Sequence, residues 1–214
     1  MAARGTFTVA LSGGTTPKAA YALLAQDQSA AVDWKRVVVF FSDERCVPPG
    51  DSRSNYKSAR DALLAKVAIP ANNIHRMLGE EVPEVAARAY ATLLTHMCGA
   101  PPRLDLVMLG MGTDGHTASL FPGSDPMTDN EQLVRAPFVQ QMQMFRLTMT
   151  PRVINASRCV TVATEGAEKA DALQRVLAGD YNPQSLPVQA VAPTDGHLIW
   201  LVDRAAAGKL SDET

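Results

Sequence analysis

Residues 104–124 read LDLVMLGMGTDGHTASLFPGS, and the fold class follows from how that stretch divides. Leu104, Leu106, Val107, Met108 and Leu109 make a nearly unbroken apolar run, as expected of a strand buried on both faces of a parallel sheet. The run ends at Gly110. Gly110, Gly112 and Gly115 then let the chain turn sharply and approach a ligand closely, with Asp114 and His116 flanking the last glycine. Residues 117–121 are expected to form a short helix stopped by Pro122 and Gly123. Open α/β sheets place their sites at the carboxyl ends of strands, so this turn is the first candidate site. Its glycine spacing matches the dinucleotide fingerprint literally. However, Pro122 leaves no room for the long helix that should follow, and the acids further on, Asp129 and Glu131, lie in a polar stretch rather than at a strand end. No nicotinamide or flavin, and no other cofactor, is expected. The plainer alternative is a tight turn that the histidine merely caps.

Working outward, residues 7–11 form a first strand that runs into Ser12-Gly13-Gly14-Thr15-Thr16-Pro17, with a helix over residues 18–25. A strand, then glycines and hydroxyls, then a helix N-terminus is an anion-binding arrangement, because free N–H groups and the helix dipole face the loop. It is not a Walker loop, since no Gly-Lys-Ser/Thr follows. Residues 36–41 (RVVVFF) are a second buried strand ending in Ser42-Asp43-Glu44-Arg45, again at a site edge, with Glu44 read as a solvated loop residue. A helix is expected over residues 52–66, capped by Ser52 or Ser54, and a short edge strand over 74–77. Residues 83–98 should be an amphipathic helix with Val85, Ala86, Ala89, Leu93 and Met97 on its apolar face. Residues 125–132 are read as a mobile polar loop. Strands follow at 145–149, where Arg146 and Thr148 point one way, and at 159–163, 188–191 and 198–202, with short helices at 151–156 and 167–177. Lys169 falls in the first turn of the last helix. A cation there opposes the dipole, which an anionic ligand would explain. The alternation of strands and helices predicts one α/β domain over 1–214: a doubly wound, mainly parallel sheet of Rossmann-like type with helices on both faces.

Bulk properties narrow the functional class. The 214 residues carry 20 basic and 22 acidic side chains, net charge −2, with no basic run, so neither nucleic acid nor an anionic membrane is an expected partner. Any anion site must be local. Three separated cysteines without a CxxC argue against a zinc site or disulfide framework, and the four histidines lack metal-ligand spacing. With no apolar signal core or long apolar stretch, the expectation is a soluble cytoplasmic protein acting as a monomer or small homo-oligomer.

Four segments together, VALSGGTTP, FSDERCVPPGDSRSNY, LVMLGMGTDGHTASLFPGS and RLTMTPRVIN with EGAEKADAL, resemble the 6-phosphogluconolactonases, lactone hydrolases of the pentose phosphate pathway. The resemblance runs from about residue 7 to residue 202. It implies the sheet shared with aminosugar-phosphate deaminases and ribose-phosphate isomerases. Members usually carry a further strand and helix ahead of the first glycine-turn strand. No counterpart precedes residue 7 here, which leaves open the sheet edge beside that strand. The resemblance further implies that Ser12, Gly13, Gly14, Thr15 and Thr16 cradle a 6-phosphate, that Lys169 and Arg45 neutralise it, and that Arg146 supports it or the site wall. Asn55 would bond sugar hydroxyls, and Asp43 or Asp114 would orient hydroxyls or hold the histidine.

A δ-lactone needs only an activated water and a stabilised oxyanion. His116 is the candidate base, with Asp114 or Asp43 beside it and glycine-turn N–H groups or Arg45 meeting the oxyanion. No G-x-S-x-G elbow suggests a serine hydrolase. One competing function is an aminosugar-6-phosphate deaminase/isomerase, whose motif has a glutamate five residues after the histidine, where this chain has Phe121. Another is a non-catalytic sugar-phosphate sensor, which would have no need of His116.

Overall fold

The computed structural model describes residues 5–27, 31–124 and 131–210. Its centre is a five-stranded parallel sheet of β1 (Phe7–Leu11), β2 (Val37–Phe41), β4 (Leu106–Gly110), β8 (Cys159–Thr164) and β9 (His197–Val202), in the order β2-β1-β4-β8-β9. Between β2 and β4 in sequence lies β3 (Asp43–Arg45). It belongs to a second, antiparallel sheet with β5 (Val134–Arg135) and β7 (Met144–Met149), while β6 (Phe138–Val139) also pairs with β7. β1 has neighbours on both sides, so the edges of the main sheet are β2 and β9.

Strand alternation produces two cores. Val9, Leu11, Val37, Val39 and Phe41 face α1 (Thr15–Asp27) and α2 (Asn55–Ala59). Ala10, Val38, Phe40, Val107, Leu109, Val160 and Val162 face α3 (Pro83–Cys98), α4 (Pro151–Ala156) and α5 (Ala170–Ala178). Helices on both faces of a parallel sheet make β1, β2 and β4 apolar runs, as the doubly wound reading requires. Among the described residues no helix is long and apolar enough to cross a membrane.

Several expected elements take another form. Residues 117–121 are a tight turn closed by a bridge between Thr117 and Leu120, because Ala118 sits at φ 48° and Ser119 N–H donates to the Thr148 hydroxyl. Residues 188–191 are not a strand: a 3₁₀ turn spans Pro187–Ala190, and β8 pairs instead with β4 and β9. The Asn155 side chain holds this segment by donating to Ala190 C=O and accepting from Ala192 N–H. The expected strand at 74–77 reduces to one bridge between Ile74 and Val39. Within residues 52–66, Ser54 caps α2 by accepting from Lys57 N–H at 3.1 Å, and a π-helical turn, Arg60–Leu64, completes the segment.

The bounds of α3 match expectation but its face is rotated. Ala86, Ala87, Tyr90 and Leu94 are buried, whereas Val85 and Met97 are 49% and 40% exposed. Tyr90 explains the rotation: its hydroxyl accepts from Phe41 N–H and donates to His75 C=O, so the polar end of a large side chain is satisfied inside. On β7, Arg146, Leu147, Thr148 and Met149 are all buried, so the expected alternation is not a burial pattern. Most of the polar stretch at 125–132 lies outside the described residues.

Candidate active site

The carboxyl ends of β1, β4 and β8, joined by β3 and β7 of the second sheet, surround a cavity of about 240 Å³. Ser12, Gly13, Gly14, Thr15 and Thr16 line it from β1, Arg45 and Arg146 from the antiparallel sheet, His116 from the turn after β4, and Lys169 from the segment after β8. Asp43 and Asn55 line it too. Of the expected site residues, only Asp114 does not.

The chain leaves β1 at Ser12 and enters α1 at Thr15, with Gly14 at φ 109°, a conformation that suits glycine. Gly13 is required for a different reason. A Cβ there would lie 1.8 Å from Asn55 Oδ1. Thr16 is tied outward, its hydroxyl donating to Glu165 Oε1 at 2.7 Å and so joining the loops after β1 and β8. Lys169 ends a 3₁₀ turn, Ala167–Lys169, at the N-cap of α5 rather than inside that helix.

The cations have acids nearby but form no ion pair with them: Asp43 and Glu44 act on Arg146 only at longer range. Arg45 and Arg146 are opposed in the β3–β7 register, and each has a buried Nε without a hydrogen-bond partner. Arg146 is only 6% exposed. Burial first, and then the neighbouring Arg45 charge, push its guanidinium below the usual arginine range. Among the described residues, neither arginine nor Lys169 has a carboxylate within salt-bridge distance. In a chain of net charge −2, this gathers positive charge locally, as an anion site requires.

His116 is held on several sides. Its Nδ1 lies 2.6 Å from Asp114 Oδ1, and its backbone N–H donates to the same oxygen at 3.1 Å. The side-chain bond to the imidazole is the main cause holding the Asp114 carboxyl below its ordinary range. Phe121 stacks on the imidazole with ring centroids 4.4 Å apart. Gly112 lies against the ring edge, where a Cβ would come within 2.2 Å of Nδ1. With Nδ1–H assigned to Asp114 from this network, Nε2 carries the free lone pair.

Asp43 does not pair with His116. Its Oδ1 accepts from Asn55 Nδ2 at 3.0 Å and its Oδ2 from Ser119 Oγ at 2.8 Å, so it ties β3 to α2 and to the histidine turn. Glu44, read as solvated, is 2% exposed. It accepts from Arg45, Asn55 and Tyr56 N–H groups and from the Ser54 hydroxyl, anchoring the start of α2. Burial pushes its carboxyl up and these donors oppose that shift. Ser119 and Phe121 went unassigned in the sequence. Phe121 carries a signal, being a large apolar residue inside a polar turn motif, whereas nothing local marks Ser119.

A family model described as glucosamine-6-phosphate isomerases/6-phosphogluconolactonase matches residues 1–200. A 6-phosphogluconolactonase of Synechocystis is 40% identical over 215 residues, covering 98% of this chain and 87% of that protein. The structure of a 6-phosphogluconolactonase from Trypanosoma cruzi superimposes with a TM-score of 0.86 at 28% identity, covering 97% of this chain and 86% of that one. A monomeric glucosamine-6-phosphate deaminase superimposes with a TM-score of 0.82 at 20% identity over 95% of this chain and 88% of its own. That last likeness concerns the fold alone, so the fold does not separate lactonase from deaminase.

Proposed function

The chain belongs to the glucosamine-6-phosphate isomerase/6-phosphogluconolactonase family, and we propose that it hydrolyses 6-phospho-D-glucono-1,5-lactone to 6-phosphogluconate in the pentose phosphate pathway. One observation carries the reading: an imidazole tied to a carboxylate at 2.6 Å lines the same cavity as Arg45, Arg146, Lys169 and the loop from Ser12 to Thr16. The loop N–H groups and these cations hold the phosphate. His116 Nε2 takes a proton from water as its oxygen bonds to the lactone carbonyl carbon. Asp114 keeps the ring in the required tautomer and stabilises the imidazolium. The tetrahedral oxyanion meets glycine-turn N–H groups or Arg45. On collapse the bond from the carbonyl carbon to the ring oxygen breaks, and the imidazolium proton passes to the departing alkoxide. Asn55 and Asp43 shape the sugar side of the pocket.

Phe121 speaks against the deaminase alternative, since an apolar ring stacked on the histidine occupies the place of the expected glutamate. We infer a cytoplasmic setting from the unpaired cysteines, with the protein a monomer or small homo-oligomer. A coupled assay tests the proposal. Glucose-6-phosphate dehydrogenase generates the lactone in place, and its disappearance is followed above spontaneous hydrolysis. Lactone decay no faster than in buffer would refute the assignment, and ammonia release from glucosamine 6-phosphate would replace it.

A further inference from the structure

Ser12 is the first residue beyond the β1 ladder: the register with β2 ends at Leu11 and Phe41, and the next bond runs from Ser42 N–H to Leu11 C=O. Its own backbone groups are taken by a side chain. The Tyr21 hydroxyl, on α1, accepts from Ser12 N–H at 3.0 Å and donates to Ser12 C=O at 3.0 Å. Tyr21 is 2% exposed and does not line the site cavity, so it cannot touch a ligand there. Ser12, by contrast, is among the residues that line that cavity, and its hydroxyl is buried without a hydrogen-bond partner. The next residue, Gly13, is pressed against the Asn55 amide. The start of the loop is therefore clamped between a phenol from one helix and an amide at the start of another.

We propose that Tyr21 is a positioning residue for phosphate recognition: by satisfying both backbone groups of Ser12 it sets the loop so that the Ser12 hydroxyl and the N–H groups after it face the ligand. The inference rests on the lactonase reading for its substrate, but on the loop geometry alone for the anion. The phenol hydroxyl accepts from one group and donates to the other, and a phenyl ring can do neither, so phenylalanine keeps the ring and loses the function. Burial also holds the phenol protonated, its ionisation pushed far above the ordinary tyrosine value.

Tyr21→Phe is the test. Loss of one or two buried hydrogen bonds corresponds to a KM for the phosphorylated lactone raised roughly 5- to 30-fold. The kcat should stay within about twofold, since the base is untouched. Hydrolysis of unphosphorylated glucono-1,5-lactone should keep its kcat/KM. An unchanged KM, or equal losses with both lactones, overturns the proposal, because a merely structural tyrosine would not discriminate by phosphate. Calorimetric titration with inorganic phosphate, whose binding Tyr21→Phe should weaken, gives the same reading without turnover, so an inactive wild-type enzyme would defeat the lactonase assignment and leave this test intact. Should the variant fail to fold, amide exchange in the wild type decides. Ser12 N–H is expected to exchange as slowly as the core, with Gly13 and Gly14 slowing only when phosphate is added. Ser12 exchanging as fast as Gly14 would overturn the inference.

Discussion

Replacing Gly13 by alanine should damage stability and substrate binding together. The new Cβ would fall 1.8 Å from Asn55 Oδ1 and 2.4 Å from Asn55 Cγ, against an ordinary contact of about 3.4–4 Å. The amide must therefore retreat by about 1.5 Å or more, and little around it gives. Its Nδ2 donates to Asp43 C=O and to Asp43 Oδ1, both at 3.0 Å, and its backbone N–H donates to Glu44 Oε1 at 2.7 Å. Asp43 is held in turn by Ser119. Overpacking typically costs about 1–3 kcal/mol and a buried polar group left unpaired about 1–3 kcal/mol, so a loss of roughly 2–4 kcal/mol is expected. For a chain of this size that lowers Tm by about 5–15 °C. The same shift moves the loop N–H groups, so the KM for the phospholactone should rise at least about tenfold, since a displacement near 1 Å can cost about a hundredfold. Thermal denaturation and the coupled assay read the two effects. The double variant Gly13→Ala, Asn55→Ala keeps the new Cβ but removes the amide it collides with, so its loss should be smaller than the sum of the single losses by more than about 1 kcal/mol. A G13A protein with wild-type Tm and KM, or strictly additive losses, would refute the claim that Asn55 presses on the loop.

His116→Asn should lower kcat by about 10²–10⁴-fold with a modest change in KM, as expected for loss of a general base; full activity in steady-state kinetics would remove His116 from that role. Lys169→Ala should raise the KM for the phospholactone roughly tenfold to a hundredfold while leaving kcat nearly unchanged; an unchanged KM would take Lys169 out of the phosphate site. Asp114 supplies the pH dependence. Its folded pKa lies below the ordinary 3.8, so its stabilising effect is complete above that value and is lost as pH falls through the depressed one. Urea titrations of wild type and Asp114→Asn should therefore differ at pH 7 and converge as the pH falls through the depressed pKa; a difference that persists once the carboxyl is protonated would refute the assigned partner.

Much of this fold was legible because the information is local. The runs at 7–11, 37–41 and 106–110 are apolar whichever neighbour they pair with, and a strand covered on both faces has no other stable composition. The glycine turns and the acid–glycine–histidine motif are likewise short, because their backbone demands are made within a few residues. The bounds of α3 and α4 followed from Pro83 and Pro151 at their starts. The misread positions share one property: their state is set by partners far along the chain. Glu44 looks solvated until the N-terminus of α2, ten residues on, supplies its donors. Residues 188–191 have strand composition, but Asn155 and Gly115 claim their backbone groups. The apolar face of α3 turned on whether Tyr90 could satisfy its hydroxyl inside, which depends on where Phe41 and His75 end up. The site divides in the same way. Its chemical groups are written in order along the chain, and the Asp114–His116 bond is itself local, but what Asp43 binds, which amide presses on Gly13 and which phenol pins Ser12 are decided only when folding brings those segments within hydrogen-bond reach.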